Sequence, residues 1–265
     1  MNKGDSRPGA KLSAILITHN EARNIRRCLE SVRWADEIVV IDQSSVDETV
    51  SLCNKYTDNV TVVAAKGYCE PDRKTAVEKA ANEWLFYIDA DEVVSEALKD
   101  EIACLLSSDP PCDNYYILRK NYLLGRWIKA SGWHPNYVMR LFKKNRVEFS
   151  DTIHVDIKPL GRCGYLKGDI LHYSYETLHD YVVKLDRYTT VLAGQAYAKG
   201  KRIKPLSGLY DFLLLPAWYF FKKLVLQKGY KDGFRGFLIA AFTFSTIFLM
   251  HAKVWEMEAR SAGSA

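Results

Sequence analysis

No Cys-x-x-Cys pair occurs anywhere in this 265-residue chain, and that absence argues against a zinc site. The six cysteines (28, 53, 69, 104, 112 and 163) stand singly, most of them inside apolar runs, so buried thiols in a reducing compartment are the simpler reading. Residues 1–8 carry basic side chains but no apolar run follows them, which excludes a signal peptide and points to the cytosolic side of a membrane. A large excess of one charge is missing too. The formal charge of +5 suits phosphates or an anionic membrane surface without identifying either, and no nucleic-acid partner is expected. With 48% hydrophobic and 26% charged residues the chain is not disordered, and its length allows one large domain or a domain with an appended subdomain. No internal repeat is visible, and the low-complexity tail, 261–265, is left out of the fold.

What is present is an alternation of strand and helix patterns over the first hundred residues. Leu12–Thr18 is a short apolar run, as a buried parallel strand requires, and Ile25–Val32 reads as a helix. Strands follow at 37–42, 60–65 and 84–89, with helices over 47–56 and 73–81 between them. Strands separated in this way form a right-handed, mostly parallel α/β sheet, whose ligands lie outside the carboxyl ends of the strands. Three of those ends are polar: Thr18-His19-Asn20-Glu21, Asp42 and Asp89. Beyond Glu92, Ser95–Leu106 reads as an N-capped helix, and strand-like pieces appear around 115–119, 138–143 and 153–157. From about Leu178 the chain turns helical.

Asp89-Ala90-Asp91-Glu92 closes the fourth strand. Two carboxylates two residues apart, just past a buried strand, can serve a ribose and a hard divalent cation together. Such a cation neutralises the charge of a departing nucleoside diphosphate; the bland reading of Asp-x-Asp is a solvated turn. Asp42 can accept a hydrogen bond from a uracil N–H. In the same segment Ser45 and Glu48 have the spacing of a capping box, which makes Ser45 and Asp47 structural. Arg73 and Lys74 open a helix ahead of the fourth strand and can face a pyrophosphate, or simply solvent. No Gly-x-x-x-x-Gly-Lys loop supports a nucleotidyltransferase.

The run Ile15-Leu-Ile-Thr-His-Asn20-Glu21, the segment Asp42…Ser45-x-Asp47-x-Thr49, Arg73 and Asp89-Ala-Asp91-Glu92 together resemble glycosyltransferase family 2, inverting enzymes of the GT-A fold. Lys74 departs from the pattern, where many members have Asn. Further on, Gly125-Arg-Trp127, Gly132-Trp133-His-Pro135, Arg140-Leu-Phe142, His154, His172-Tyr-Ser174-Tyr and Gly229-Tyr-Lys-Asp-Gly233 resemble the bacterial lipopolysaccharide core β-1,4-glucosyltransferase subgroup. The resemblance runs from about residue 11 to residue 258. It implies UDP-glucose as donor and a heptose of the growing core as acceptor. It further implies a nucleotide-sugar site of Thr18, Asn20, Glu21, Asp42 (on uracil), Arg73, Lys74, Asp89 (on ribose), Ala90, Asp91 and Arg140 (near phosphate), with Asp91 and Asp89 as the metal side for Mg²⁺ or Mn²⁺. An inverting transfer needs a base within hydrogen-bond reach of the acceptor hydroxyl. Many relatives carry His-Glu where this chain has His154-Val155, so the base is sought at Asp151 first, then Asp156 and His154. On a strand His154 and Asp156 would share a face and Asp151 would oppose His154. Trp133 and His134 are read as lining an acceptor pocket, with structural packing as the alternative for Trp133.

Two apolar segments, Leu206–Phe221 and Gly236–Met250, hold a single charge between them, Asp211. Each is shorter than the roughly 18–20 residues of a spanning helix. Lys199, Lys201, Arg202 and Lys204 precede the first, and Lys222, Lys223, Lys228, Lys231 and Arg235 separate the two. Apolar helices with basic edges lie in the interface of an anionic bilayer; a buried hairpin or a dimer interface is the plainer reading. The expectation is a GT-A catalytic domain over 11–175 (nucleotide-sugar half 11–106, acceptor half 107–175) and a helical, membrane-interfacial region over 176–260. Its work would be sugar transfer to a lipid-linked saccharide at the cytoplasmic face of a bacterial inner membrane. A polyprenyl-phosphate sugar transferase and an inactive nucleotide-sugar-binding scaffold stand as alternatives.

Overall fold

The computed structural model describes residues 9–65, 70–148, 157–203 and 208–263. They form two compact units. One comprises Met1–Lys120 with Asn136–His172, the other Asn121–Pro135 with Tyr173–Ala265.

In the first unit, β1 (Leu12–Thr18) pairs in parallel with β2 (Glu37–Asp42) and β4 (Trp84–Tyr87), and β2 with β3 (Val60–Val62). All seven residues of β1 are buried, because helices cover both faces of a parallel sheet. Alternation along the strands deals side chains to two cores. Leu12, Ala14 and Leu16 join Phe86 and the buried stripe Ile25, Cys28, Leu29 and Val32 of α1 (Ile25–Val32). Ile15 and Ile17 join Val39, Ile41 and Leu85, with Ala76, Val77 and Ala80 against them. A fully buried aliphatic side chain contributes about 1.5–3 kcal/mol, so these layers are the main source of the unit's stability.

The sheet continues antiparallel. β8 (Tyr137–Lys143) pairs with β4 and with β6 (Asn114–Leu123), and β11 (Cys163–Tyr175) pairs with β5 (Glu92–Val94). The strand order is β3-β2-β1-β4-β8-β6-β11-β5, and β9 (Val147–Glu148) and β10 (Lys158–Pro159) form a separate antiparallel pair. Between β5 and β6, α4 (Glu96–Leu106) starts on Ser95, whose Oγ accepts the Leu98 N–H at 3.2 Å. The expected 47–56 helix contracts to α2 (Thr49–Cys53) and the 73–81 helix shifts to α3 (Glu70–Lys79). Of the 153–157 strand expected from the sequence, only Ile157 lies within the described residues. β5 and β11 were not expected.

The second unit holds the end of β6, its hairpin partner β7 (Arg126–Trp127) and three helices, α5 (Leu178–Ala198), α6 (Leu215–Phe221) and α7 (Phe234–Gly263). π-Helical turns at Tyr210–Leu214 and Lys222–Leu226 flank α6. A capping box of Thr177 and Asp180 starts α5. The Asp232 carboxylate accepts the Lys129 and Ala130 N–H groups at 3.0 and 2.9 Å, and Arg235 donates to the Leu123 and Leu124 carbonyls. These bonds tie the turn before α7 to the β7 hairpin. α7 is longer than the 15-residue apolar stretch in its sequence. Past Met250 it continues because His251 and Lys253 find partners on neighbouring segments, and by length and composition alone it is long enough to cross a membrane.

Candidate active site

The strand order reverses between β1 and β4, and the crevice at such a switch point is where α/β sheets take ligands. The loops that leave β1 and β2 there are sewn together. Asp42, fully buried, accepts Thr18 Oγ1 at 2.9 Å, Ser45 Oγ at 2.6 Å and the Ser45 N–H at 2.7 Å. Asn20, in the left-handed region at φ 54°, donates its N–H to Ser45 Oγ at 2.8 Å and accepts the Val46 N–H at 2.9 Å. The Glu21 N–H donates to Thr49 Oγ1, and Asp47 accepts from the Ala22 and Thr49 N–H groups. Burial pushes the Asp47 carboxyl up, but these hydrogen bonds outweigh it and hold it below the usual carboxylate range. The expected Ser45–Glu48 capping box does not form. Asp42 captures the Ser45 hydroxyl, and Glu48 precedes α2 with no side-chain bond to it.

Across the switch point, the end of β4 carries a buried ion cluster. Glu92 is fully buried and meets Arg140 Nη2 at 2.7 Å and Arg119 Nη1 at 3.2 Å. Arg140 also bonds Asp89, whose other oxygen accepts the Tyr87 hydroxyl at 2.8 Å. The guanidinium groups of Arg73 and Arg140 lie over the Tyr87 ring, 5.2 and 4.6 Å from its centroid. Burial pushes the Asp89 carboxyl up, but the Arg140 charge, helped by Arg119 and the Tyr87 hydroxyl, leaves it at about 2. Asp89 is therefore a fixed anion. Beneath it, burial, reinforced by Glu92, Asp89 and Asp91, raises the Cys28 thiol well above its ordinary range, which makes it inert.

Asp91 is oriented differently. Its Oδ1 lies 3.4 Å from His172 Nε2, and both side chains are mostly buried. The β5–β11 ladder makes this pair by setting His172 opposite Glu92. An imidazole beside a carboxylate is a donor set that a divalent cation accepts, the remaining positions being left to water or phosphate oxygens. Among the described residues no third His, Cys, Asp or Glu joins them. Strand register brings His172 to the site, and the ion cluster brings Arg119 and Tyr87; no local sequence pattern places any of the three there. Lys74, on α3, is exposed, and Ala90, between the two aspartates, is buried. Asp151, His154 and Asp156 lie outside the described residues. Trp133 and His134 belong to the second unit, where Trp133 packs against Leu123, Ile128 and Ile239 and the His134 ring meets the Trp127 ring edge-on at 5.2 Å.

The sequence pattern of glycosyl transferase family 2 matches residues 13–159. This chain belongs to that family. Its fold is GT-A: a mixed sheet with flanking helices, followed by the C-terminal helical segment. The matched stretch of this family 2 enzyme ends before α5, α6 and α7. Similarity to the lipopolysaccharide core biosynthesis glycosyltransferase LpsC of Rhizobium meliloti (strain 1021) runs through them, at 28% identity over 263 residues and 96% of each chain. An uncharacterized glycosyltransferase of Rickettsia felis is also 28% identical, over 93% of this chain and 90% of that one. Among solved structures, the mannosyltransferase PcManGT from Pyrobaculum calidifontis, in complex with GDP-Man and Mn²⁺, is 15% identical, with a TM-score of 0.49 over 94% of this chain and 86% of that one.

Proposed function

We propose that this glycosyltransferase moves glucose from UDP-glucose, with inversion, onto a lipid-linked saccharide such as the heptose of the lipopolysaccharide inner core, at the cytoplasmic face of a bacterial inner membrane. The observation that carries the reading is the contrast at the end of β4. Asp89 is locked by Arg140, whereas Asp91 stands with His172 as an oxygen–nitrogen donor pair. The end-to-end similarity to LpsC supports the choice of acceptor class.

In this reading Asp42 takes the uracil N–H with its remaining lone-pair capacity, and Asn20 and Glu21 line the nucleotide. Asp89, ionised and immobile, accepts a ribose hydroxyl. Asp91 and His172 hold Mg²⁺ or Mn²⁺. When bound, that cation neutralises the charge that develops on the departing UDP. Arg73 and Lys74 add positive charge on the pyrophosphate side. The acceptor hydroxyl oxygen bonds to the anomeric carbon as the sugar–phosphate bond breaks, and its proton passes to a base, assigned to Asp151 ahead of Asp156 and His154.

The test is transfer from a panel of UDP-sugars, with and without metal, to truncated core lipid and to polyprenyl phosphate. UDP-glucose with core lipid should give the product, and Asp91→Ala should lower kcat by about a thousandfold while the fold is retained. Metal-dependent transfer that survives Asp91→Ala would sink the metal assignment. Product on polyprenyl phosphate alone would replace the acceptor.

A further inference from the structure

The structure assigns a single face of the second unit to a lipid bilayer: the outward side of the helical segment Leu209–Leu226, lying in the plane of one leaflet. This rests on the lipid-linked acceptor proposed above, and specifies the surface that brings the enzyme to it. Nine residues of that segment are exposed: Leu209, Tyr210, Leu213, Leu214, Ala217, Trp218, Phe221, Val225 and Leu226. None is charged or amide-bearing. Their spacing of three and four residues gathers them on one stripe about 25 Å long.

Two of the segment's three charges are turned off this stripe, and the third, Lys222, is half-buried with its Nζ 5.7 Å from the Tyr219 ring. Asp211 is 1% exposed, and its Oδ1 meets Lys201 Nζ at 2.8 Å and His251 Nε2 at 3.5 Å. Lys223 sends its Nζ to the Ser131 carbonyl at 2.9 Å. Exposed cations flank both ends instead, Lys199 and Arg202 before the stripe and Lys228 and Lys231 after it. A spanning segment would place those two cationic ends on opposite sides of a bilayer. A helix lying flat places both at one headgroup layer, where anionic lipid attracts them.

The partners of α7 fix the same orientation. Phe242 stacks on Tyr181 of α5 at 4.1 Å, and Lys253 of the same face reaches Asp186, Thr189 and Thr190 of α5. Phe237 and Phe248, on a face about 120–140° away around the α7 axis, meet Phe220 and Phe212. α7 therefore has the stripe-bearing segment on one side and α5 on another. On α5 Arg187 is exposed in mid-helix, and Asp186 beside it stays 73% exposed even while it holds Lys253; hydrocarbon does not accommodate such charges. Although α7 is long enough to span, its companions keep it outside the bilayer.

The experiment is flotation of the full chain with preformed vesicles of phosphatidylcholine, with and without phosphatidylglycerol. Leu214→Glu/Phe221→Glu is run beside the unaltered protein, with melting temperature and UDP-glucose hydrolysis as folding controls. The unaltered chain should float with anionic vesicles, less so in high salt. The double variant should lose about a hundredfold in partition with both controls unchanged. Equal binding by the variant overturns the assignment, as does failure of the unaltered chain to bind. A dimer of the unaltered chain that the variant dissolves, with no vesicle binding, would show a second copy on the stripe and overturn it equally. No acceptor is present in this assay. Vesicle binding without transfer to any lipid-linked saccharide therefore defeats the acceptor reading alone, and transfer with unaltered binding of the variant defeats the stripe alone.

Discussion

The two units spend their apolar residues in opposite ways. Of the forty-three hydrophobic side chains buried among the described residues, only seven belong to the second unit. Of the twenty-one large apolar side chains exposed among the described residues, seventeen do. The first unit buries β1 and β4 completely and concentrates charge at the carboxyl ends of its parallel strands. The second keeps a thin core and leaves its apolar faces outside. A surface of that kind marks an interaction site, whereas a crevice of carboxylates and guanidinium groups marks chemistry. The division of labour is thus written in burial.

Both units contain a buried acid paired with cations, and unequal costs of breaking them would sharpen the contrast. In the first, Glu92 faces Arg140 and Arg119 with its side chain fully buried and Arg140 6% exposed. Glu92→Gln leaves guanidinium charge that cannot reach water. We expect a loss of about 3–5 kcal/mol in urea unfolding, together with loss of transfer. In the second, Asp211 faces Lys201, which is 36% exposed and can swing into solvent. Asp211→Asn should cost less, about 1–3 kcal/mol. Equal costs would show that the two clusters are buried alike.

How legible each part was in the sequence follows from the same contrast. β1, β2 and β4 are continuous apolar runs because both faces of a parallel strand are covered, and their polar ends pointed to the crevice. β11 did not announce itself. Its thirteen residues mix Lys167, Gly168, Asp169 and His172 with apolar ones, and its strand form comes from partners far away in sequence. The same distance hid the Asp91–His172 pair, since a register across some eighty residues has no local signature. The Ser45–Glu48 spacing suggests a box that does not form, because a local pattern does not reveal that Asp42 competes for the hydroxyl. The apolar stretch ends at Met250 while α7 runs on, because hydropathy does not register that Lys253 finds oxygens on α5.

Backbone packing separates the units on a smaller scale. A Cβ on Gly236 would lie 1.8 Å from the Gly229 carbonyl oxygen, where the first turn of α7 crosses the turn before it. A backbone oxygen cannot swing aside as a flexible side chain can. Gly236→Ala should therefore cost about 1–3 kcal/mol. Because this turn also carries Asp232, which holds the β7 hairpin, proteolysis should open the second unit while UDP binding by the first persists. Loss of both together would mean that the units unfold as one.

The smallest effect compares the two helix caps. Ser95 Oγ accepts the Leu98 N–H at 3.2 Å and also the Asp169 N–H at 3.3 Å, so it starts α4 and pins β11 at once. Thr177 caps α5 at an exposed end, accepting only the Asp180 N–H while the Asp180 carboxylate returns a bond to the Thr177 N–H. Cap removal costs about 0.5–2 kcal/mol, and the half-buried, doubly used oxygen belongs at the upper end of that range. Ser95→Ala should lower the unfolding free energy by about 1–2 kcal/mol and Thr177→Ala by about 0.5–1, both read from denaturant midpoints at unchanged slope. The order matters more than either value. If Thr177→Ala proved the more costly, the thin core of the second unit would depend more on its local helix starts than the first unit depends on its strand ends.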